Sequence, residues 1–359
     1  MQIRRLLPND LSAAKELWIS AFPEDKGAFA DFYFGKIFSD DTYLGLFEQE
    51  RLASMAGVAR RSMNFFEQAM NISIFRGIAT EKVHMGKGYA SMLIKQILYS
   101  FYKEGRELAV LKTYIHPFYE RLGFYTCSRW GITEVPSEGP ADVDYRIYRS
   151  VHLLNEELLY RLFACYRCFT AGKNLFLQRD MRDMKNMLEE ALDVSGEVLV
   201  ICQSGENIRG YCIGSLEGSA LLGSETVYVD SCALSAFAAA ARKLGKQVFR
   251  YKSFDLGTHE DAMVRAVSVE KLLHKAHMEE GEFCIKIEDP ILPENNGIWQ
   301  VICRNETVST KKCSGTADAR LSPGELACLV LGAEITDGKI PKNISTLFKK
   351  REVGIFEQY

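Results

Sequence analysis

The run Phe75-Arg-Gly-Ile-Ala-Thr80, followed by Met85-Gly-Lys-Gly-Tyr-Ala90 and a long amphipathic segment, restricts the fold more than any other part of the chain. Ile74, Ile78 and their neighbours suit a buried strand, whereas Met92, Leu93, Ile97, Leu98 and Phe101 keep helical spacing. The pattern predicts a strand, a short loop and a helix whose first turn carries glycines. Such a helix start leaves backbone N–H groups unpaired and converging on one spot, with the positive end of the helix dipole behind them. A phosphate or pyrophosphate fits there. Gly86-Lys87-Gly88 lacks the upstream glycine and the Lys-Ser/Thr end of a Walker loop. As a dinucleotide fingerprint it lacks the third glycine, and Ser91 stands where Gly or Ala is wanted. Taken alone, the run is also compatible with a glycine turn that binds nothing.

The next residues narrow the choice. Glu107–Thr113 (ELAVLKT) reads as a second buried strand, and Pro117-Phe-Tyr-Glu-Arg-Leu-Gly-Phe124 as a short helix ended by a glycine and followed by a further strand. In this order the chain resembles the GNAT superfamily of acyl-CoA N-acyltransferases. There, Arg/Gln-x-x-Gly-x-Gly/Ala grips the pyrophosphate of acetyl-CoA, and Phe-Tyr-x-x-x-Gly-Phe packs beside the thioester. The resemblance places cofactor contacts on Met85, Gly86, Lys87, Gly88, Tyr89 and Ala90, and aligns the pantetheine arm along Ile78, Ala79 and Thr80. The family's Arg or Gln falls at Met85, which offers no side-chain hydrogen bond, so the backbone amides and Lys87 are left with most of the grip.

At 359 residues the chain is long enough for two or three domains. Its net charge of −3 leaves no footprint for nucleic acid. No apolar run reaches the roughly 18–20 residues that span a bilayer, and Met1-Gln-Ile-Arg-Arg leads into Leu6-Leu-Pro-Asn-Asp-Leu without a signal-peptide core. A cytoplasmic protein without membrane or nucleic-acid partners is expected. The ten cysteines are scattered, mostly in apolar stretches, and are expected to be reduced. Cys165-Tyr-Arg-Cys168 lies in a helical pattern without a second pair, and His274 and His277 lack an acidic third ligand. They are expected at the surface, and no metal is expected.

Asp10-Leu-Ser12 can cap a helix through Trp18, a second helix runs from about Lys26 to Ile37, and Thr42–Glu48 with Leu52–Arg60 reads as a hairpin. From about Val151 the same order of elements returns: helices over Leu153–Thr170 and Arg179–Leu192, strands over Glu197–Cys202, Ile208–Ile213 and Glu225–Ser231, a helix over Ala233–Leu244 and a strand over Gln247–Lys252. Its strand-to-helix turn, Asp230-Ser-Cys-Ala-Leu234, has no glycine, so side chains block a pyrophosphate and the unit is expected to be structural. In the last hundred residues, Met263–Leu273 is predicted to open a helix, Glu282–Glu288 and Ile298–Cys303 to pair as strands, and Leu321–Leu331 to form a helix. This ordering resembles a sterol-carrier-protein-like domain, read here as a packing module rather than a lipid site.

Two acyltransferase units followed by such a domain resemble the Eis (enhanced intracellular survival) family of acetyltransferases, to whose third-domain opening Arg265-Ala-Val-Ser-Val-Glu270 is similar. The expected fold class is α+β: tandem GNAT-like folds, each a mixed sheet flanked by helices, over residues 1–148 and 149–260, the second degenerate, and a sterol-carrier-like α+β domain over 261–359. The implied activity is acetyl-CoA-dependent N-acetyl transfer to an amine acceptor such as an aminoglycoside or a polyamine-like molecule, and by the same resemblance the chain forms a homo-oligomer, a hexamer. Tyr119 is the expected general acid for the departing thiolate, since a phenol, which ordinarily titrates near a pH of roughly 10, stays protonated at neutral pH. His84 and His116 are not persuasive bases. In the Eis family the C-terminal carboxylate enters the site, here that of Tyr359, as base or as the group that positions the acceptor. Glu24, Asp25, Phe32 and Tyr33 are expected to contact the acceptor. The alternatives are a non-catalytic CoA-sensing or lipid-binding scaffold, and a protein lysine or N-terminal acetyltransferase.

Overall fold

The computed structural model describes residues 1–137, 144–254, 257–335 and 340–356. The first unit opens with strand β1 (Gln2–Arg5), helix α1 (Leu11–Ala21) and helix α2 (Ala28–Phe32), which continues as a wider helical turn over Tyr33–Ile37. Strands β2 (Thr42–Glu48), β3 (Arg51–Phe65) and β4 (Gln68–Thr80) follow as an antiparallel meander. Gln49 and Glu50 both hold positive φ, at 49° and 66°, as a tight two-residue hairpin turn demands. Helix α3 (Tyr89–Lys103) buries Leu93, Ile94, Ile97, Leu98 and Phe101, the stripe expected of a helix laid on a sheet. Strand β5 (Leu108–Lys112), helix α4 (His116–Glu120) and the two-residue strand β6 (Tyr125–Thr126) complete this stretch.

After β6 come β7 (Arg129–Pro136) and β8 (Asp144–Tyr148), and the second unit follows with α5 (Glu156–Thr170) and α6 (Met181–Glu189). Strands β9 (Val198–Ser204), β10 (Asn207–Glu217) and β11 (Ala220–Tyr228) form its meander, followed by helix α7 (Cys232–Lys243), β12 (Val248–Ser253) and β13 (His259–Glu260). The remainder comprises β14 (Ala262–Ala266), α8 (Val269–His274), β15 (Gly281–Ile287), β16 (Gly297–Arg304), β17 (Thr307–Cys313), β18 (Ala319–Leu321) and α9 (Pro323–Val330). The architecture is α+β, with mixed sheets flanked by helices and a four-stranded sheet with helices at the C-terminal end.

The two larger sheets exchange strands. The first runs β1-β2-β3-β4-β5-β14-β6 and the second β13-β7-β12-β11-β10-β9-β8. Residues 262–266 therefore belong to the sheet begun at residue 2, and β7, which follows β6 directly, pairs with β12. This corrects the helix predicted from Met263: the segment is a strand to Ala266, and the helix starts only at Val269, capped by the Ser268 side chain accepting from the Lys271 amide. All five residues of β14 are buried, so the strand carries no two-residue alternation. One apolar core then runs from Ile72, Ile74 and Val110 of the first sheet through Val264 to Phe283, Trp299, Leu326 and Leu329 near the C-terminus.

All ten cysteines are free thiols, and among the described residues no cluster suited to a metal ion is found. No helix of the described residues is long and apolar enough to cross a membrane. His277, expected at the surface, stacks on Phe66 at 4.3 Å between ring centroids, half-buried between the first sheet and the C-terminal segment. That segment is docked: Asn174 donates its amide to the Glu352 carbonyl and accepts from Gly354 N, and Phe356 packs among Phe169, Phe176 and Phe254. Tyr359 lies outside the described residues.

Candidate active site

The site starts from a failure of strand pairing. β4 and β5 run parallel and are in register at two positions, Ser73 with Ala109 and Ile74 with Val110. Beyond these, β4 continues to Thr80 and β5 to Lys112, and the strands diverge. A bulge drives the divergence: Met55 pairs with Ala79 but Gly57 with Arg76, so β4 carries one extra residue. Gly77 holds φ +51° there, and a Cβ on it would stand 2.2 Å from Trp18 Cζ3. Trp18 in turn donates its indole N–H to the Asp25 carboxylate at 2.8 Å. The edge of β4 at Ile78, Ala79 and Thr80 thus borders an open wedge, where an extended ligand can add to it as a strand would.

The wedge leads to the glycine turn. After the turn Lys82–His84, Gly86 and Gly88 adopt φ +79° and +82°, and Gly88 caps α3 with no side-chain hydrogen bond at the cap. A Cβ on either glycine would meet nothing within 4 Å, so the space above the turn is open. The first-turn amides, from Tyr89 on, have no intrahelical carbonyl and face that space. This cradle fits a pyrophosphate. Lys87 is exposed, its ammonium 3.0 Å from His84 Nδ1, and the Tyr89 hydroxyl donates to Glu48 at 3.2 Å. Met85 is exposed and adds no polar group.

Tyr119 sits on α4, just past the C-terminal end of β5. Its ring packs edge-on against Phe118 and Phe124, and burial pushes its phenol up to about 12, opposed by a hydrogen bond with Thr113. It therefore holds its proton throughout the neutral range. His116, one turn earlier, is buried with Nδ1 2.9 Å from Thr126 Oγ1 and 3.4 Å from Glu260.

A cavity lies beside β4 at Arg76. Phe32, Ile37, Arg61 and Arg76 line it from the first unit, and Arg179, Asp183, Glu190, Glu197 and Glu225 from the second, with Phe356 of the C-terminal segment completing the wall. Arg76 ties it to the wedge, standing on β4 two residues past the last β4–β5 pair. Of the four expected acceptor contacts, only Phe32 lines the cavity. Glu24 is exposed, Asp25 serves Trp18, and Tyr33 is fully buried, its hydroxyl 2.7 Å from that of Tyr43. Sequence reading missed every contribution of the second unit. Arg76, a lone charge in the apolar run Ile72–Thr80, was the one visible signal; Glu197, at the start of an ordinary strand, gave none.

Residues 2–127 match the family model described as an acetyltransferase (GNAT) domain. This part of the chain is a GNAT acetyltransferase domain. Residues 265–337 match the sterol carrier protein domain. No curated protein sequence matches the chain. Among solved structures, a probable N-acyltransferase from Enterococcus faecalis V583 superposes with a TM-score of 0.83 at 19% identity, over 100% of this chain and 99% of that one. Eis1 from Mycobacterium abscessus does so with a TM-score of 0.73 at 16% identity, over 100% of both chains. A GCN5-related N-acetyltransferase from Anabaena variabilis gives 0.81 at 15% identity, again over 100% of both. The whole chain thus shares the fold of these proteins, and within it the GNAT domain carries the wedge, the glycine turn and Tyr119.

Proposed function

We propose that the protein is an acetyl-CoA-dependent N-acetyltransferase of the Eis type acting on an amine acceptor. The observation that carries this is the continuity of the β4–β5 wedge with the glycine cradle at Gly86 and Gly88, with Tyr119 placed where β5 ends. In this reading the turn from Gly86 to Ala90 holds the pyrophosphate, chiefly through the amides of Tyr89 and Ala90, since that of Lys87 already donates to the His84 carbonyl. The β4 edge at Ile78–Thr80 aligns the pantetheine arm. A backbone N–H of that edge meets the developing oxyanion. Tyr119 protonates the leaving thiolate, and its high pKa keeps the proton available. The cavity behind Arg76 takes the amine. By the family resemblance, the terminal carboxylate of Tyr359 is the group that positions the acceptor or serves as base.

The same proposal divides the chain into a catalytic unit, a second unit without a cofactor site and a sterol-carrier-like packing unit. Its cytoplasmic homo-hexamer rests on the family resemblance, and light scattering measures it. Calorimetry with acetyl-CoA, followed by a thiol-release assay over polyamines, aminoglycosides and lysine peptides, tests the activity. Saturable binding and thiol release dependent on a small amine support the reading; peptides as the sole acceptors favour a protein acetyltransferase, and binding without turnover favours a sensor.

A further inference from the structure

The acceptor cavity holds one carboxylate whose environment differs from the rest. Glu225 is paired with Arg179, which donates to it twice at 2.6 and 2.7 Å, and accepts from the Tyr211 hydroxyl at 2.6 Å. Glu190 accepts from Ser195 at 2.5 Å, and Asp183 closes the capping box of α6 with Asp180. On the basic side, Arg76 pairs with buried Asp41 at 3.3 Å, and Arg61 donates to the Arg60 carbonyl. Among the described residues, the Glu197 carboxylate has only the Ser224 hydroxyl, at 3.2 Å, and Ser224 also lies 3.1 Å from the Ile213 carbonyl, so its single proton is contested. The main chain of Glu197 is fixed: Gly196 turns at φ +70°, and Glu197 N donates to the Ala191 carbonyl at 2.8 Å. Its side chain enters the cavity from a rigid base.

The geometry points to Glu197 as the group that takes the proton from the acceptor ammonium. This rests on the acyl-transfer reading above and supplies the base that His84 and His116 do not. Burial, and then the like charges of Glu190, Glu225 and Glu217, push its carboxyl up to about 7, against the opposing Ser224 hydrogen bond. A carboxylate poised there is ionised often enough to accept a proton and basic enough to hold one. Beyond the arginines of the cavity wall, Lys252 of β12 also feels this carboxylate. Both Glu197 and Lys112, the last residue of β5, act on its half-buried ammonium, which burial leaves below the usual lysine value.

The step balances. The ammonium loses one proton to the Glu197 carboxylate, and the freed nitrogen lone pair forms the C–N bond at the thioester carbonyl. The C–S bond then breaks, and Tyr119 gives its proton to the thiolate. The second amine proton replaces the one lost by Tyr119, and Glu197 returns its proton to solvent.

The test compares wild type with Glu197→Gln and Glu197→Asp. Acetyl-CoA affinity is read by calorimetry, kcat/KM against pH with spermidine and an aminoglycoside, and the Glu197 carboxyl titration by 13C NMR on the ligand-free protein. The expected result is an acid limb near pH 7 in wild type that E197Q abolishes, turnover lowered ~10²-fold or more, partial activity in E197D, and unchanged acetyl-CoA binding. A limb that persists in E197Q, or a carboxyl titrating in the ordinary glutamate range, overturns the Glu197 step alone. A wild-type protein that binds acetyl-CoA but acylates no amine sinks the acyl-transfer reading, and this step with it.

Discussion

Arg265 Nη1 donates to the carbonyl oxygen of Leu122 at 2.5 Å, joining the strand inserted from residue 262 onward to the turn that follows Tyr119. The guanidinium also meets the Asp289 carboxylate, with both side chains fully buried, and Asp289 in turn accepts from the amides of Ile291 and Leu292 and from Asn295. Gly123 passes over it at φ +80°, where a Cβ would approach Nη1 to 3.3 Å. The turn that orients Tyr119 is thus braced by a residue 143 positions away.

Removing one partner of this pair leaves the other charged and dry. Arg265→Ala should lower stability by about 3–5 kcal/mol in urea denaturation, and Asp289→Ala by a similar amount. The double variant should lose less than the sum, since no unpaired charge is left behind. Additive losses would show that the pair acts as two independent contacts.

Tyr119→Phe keeps the ring packing and deletes the proton. Turnover should fall by ~10²–10⁴-fold, with acetyl-CoA affinity unchanged and stability lowered by about 1 kcal/mol for the lost Thr113 hydrogen bond. Because the wild-type phenol titrates only near 12, no alkaline loss of activity below about pH 10 should be assignable to it. Steady-state kinetics across pH and calorimetry check both points.

The glycines of the cradle and of the bulge should respond differently. Gly88→Ala meets open space, so it should cost only the left-handed backbone strain, about 1–2 kcal/mol, while weakening acetyl-CoA binding beyond that. Gly77→Ala meets the Trp18 ring at 2.2 Å and should destabilise by a further ~1–3 kcal/mol. Thermal melts with and without acetyl-CoA separate the two.

Glu197 should leave a mark on stability as well. Its folded-state pKa is raised, so folding favours the protonated form: its contribution is fully present below the usual glutamate pKa and is lost as pH rises through about 7. Glu197→Gln, which stays neutral, should therefore match wild type near pH 4 and exceed it above pH 8. The gap is on the order of 1 kcal/mol, allowing for solvent screening of a partly exposed group. Melting temperatures for both proteins over that range provide the measurement, and parallel curves would count against the shift.

The strand–glycine–helix unit and the Phe-Tyr-x-x-x-Gly-Phe segment were legible in the sequence because their signals are local. Helical spacing from Leu93 to Phe101, positive φ at Gly86, Gly88 and Gly123, and the hairpin turn at Gln49–Glu50 each depend on a few neighbouring residues. The repeated order of elements after Val151 was legible for the same reason. The exchange of β7 and β14 between sheets was not, because strand pairing is a long-range choice. Buried on both faces, Ala262–Ala266 shows neither the period of a strand nor a clear alternative to a helix. The cavity at Arg76 depends on that exchange in turn: Glu197, Arg179 and Phe356 join Phe32 and Arg76 in its wall only once the two sheets are interlocked. Sequence alone determined the backbone cradle, since it resides in the conformational freedom of particular glycines. Only the tertiary structure decided which side chains line the cavity at Arg76, because burial and neighbouring charge are properties of the packed molecule.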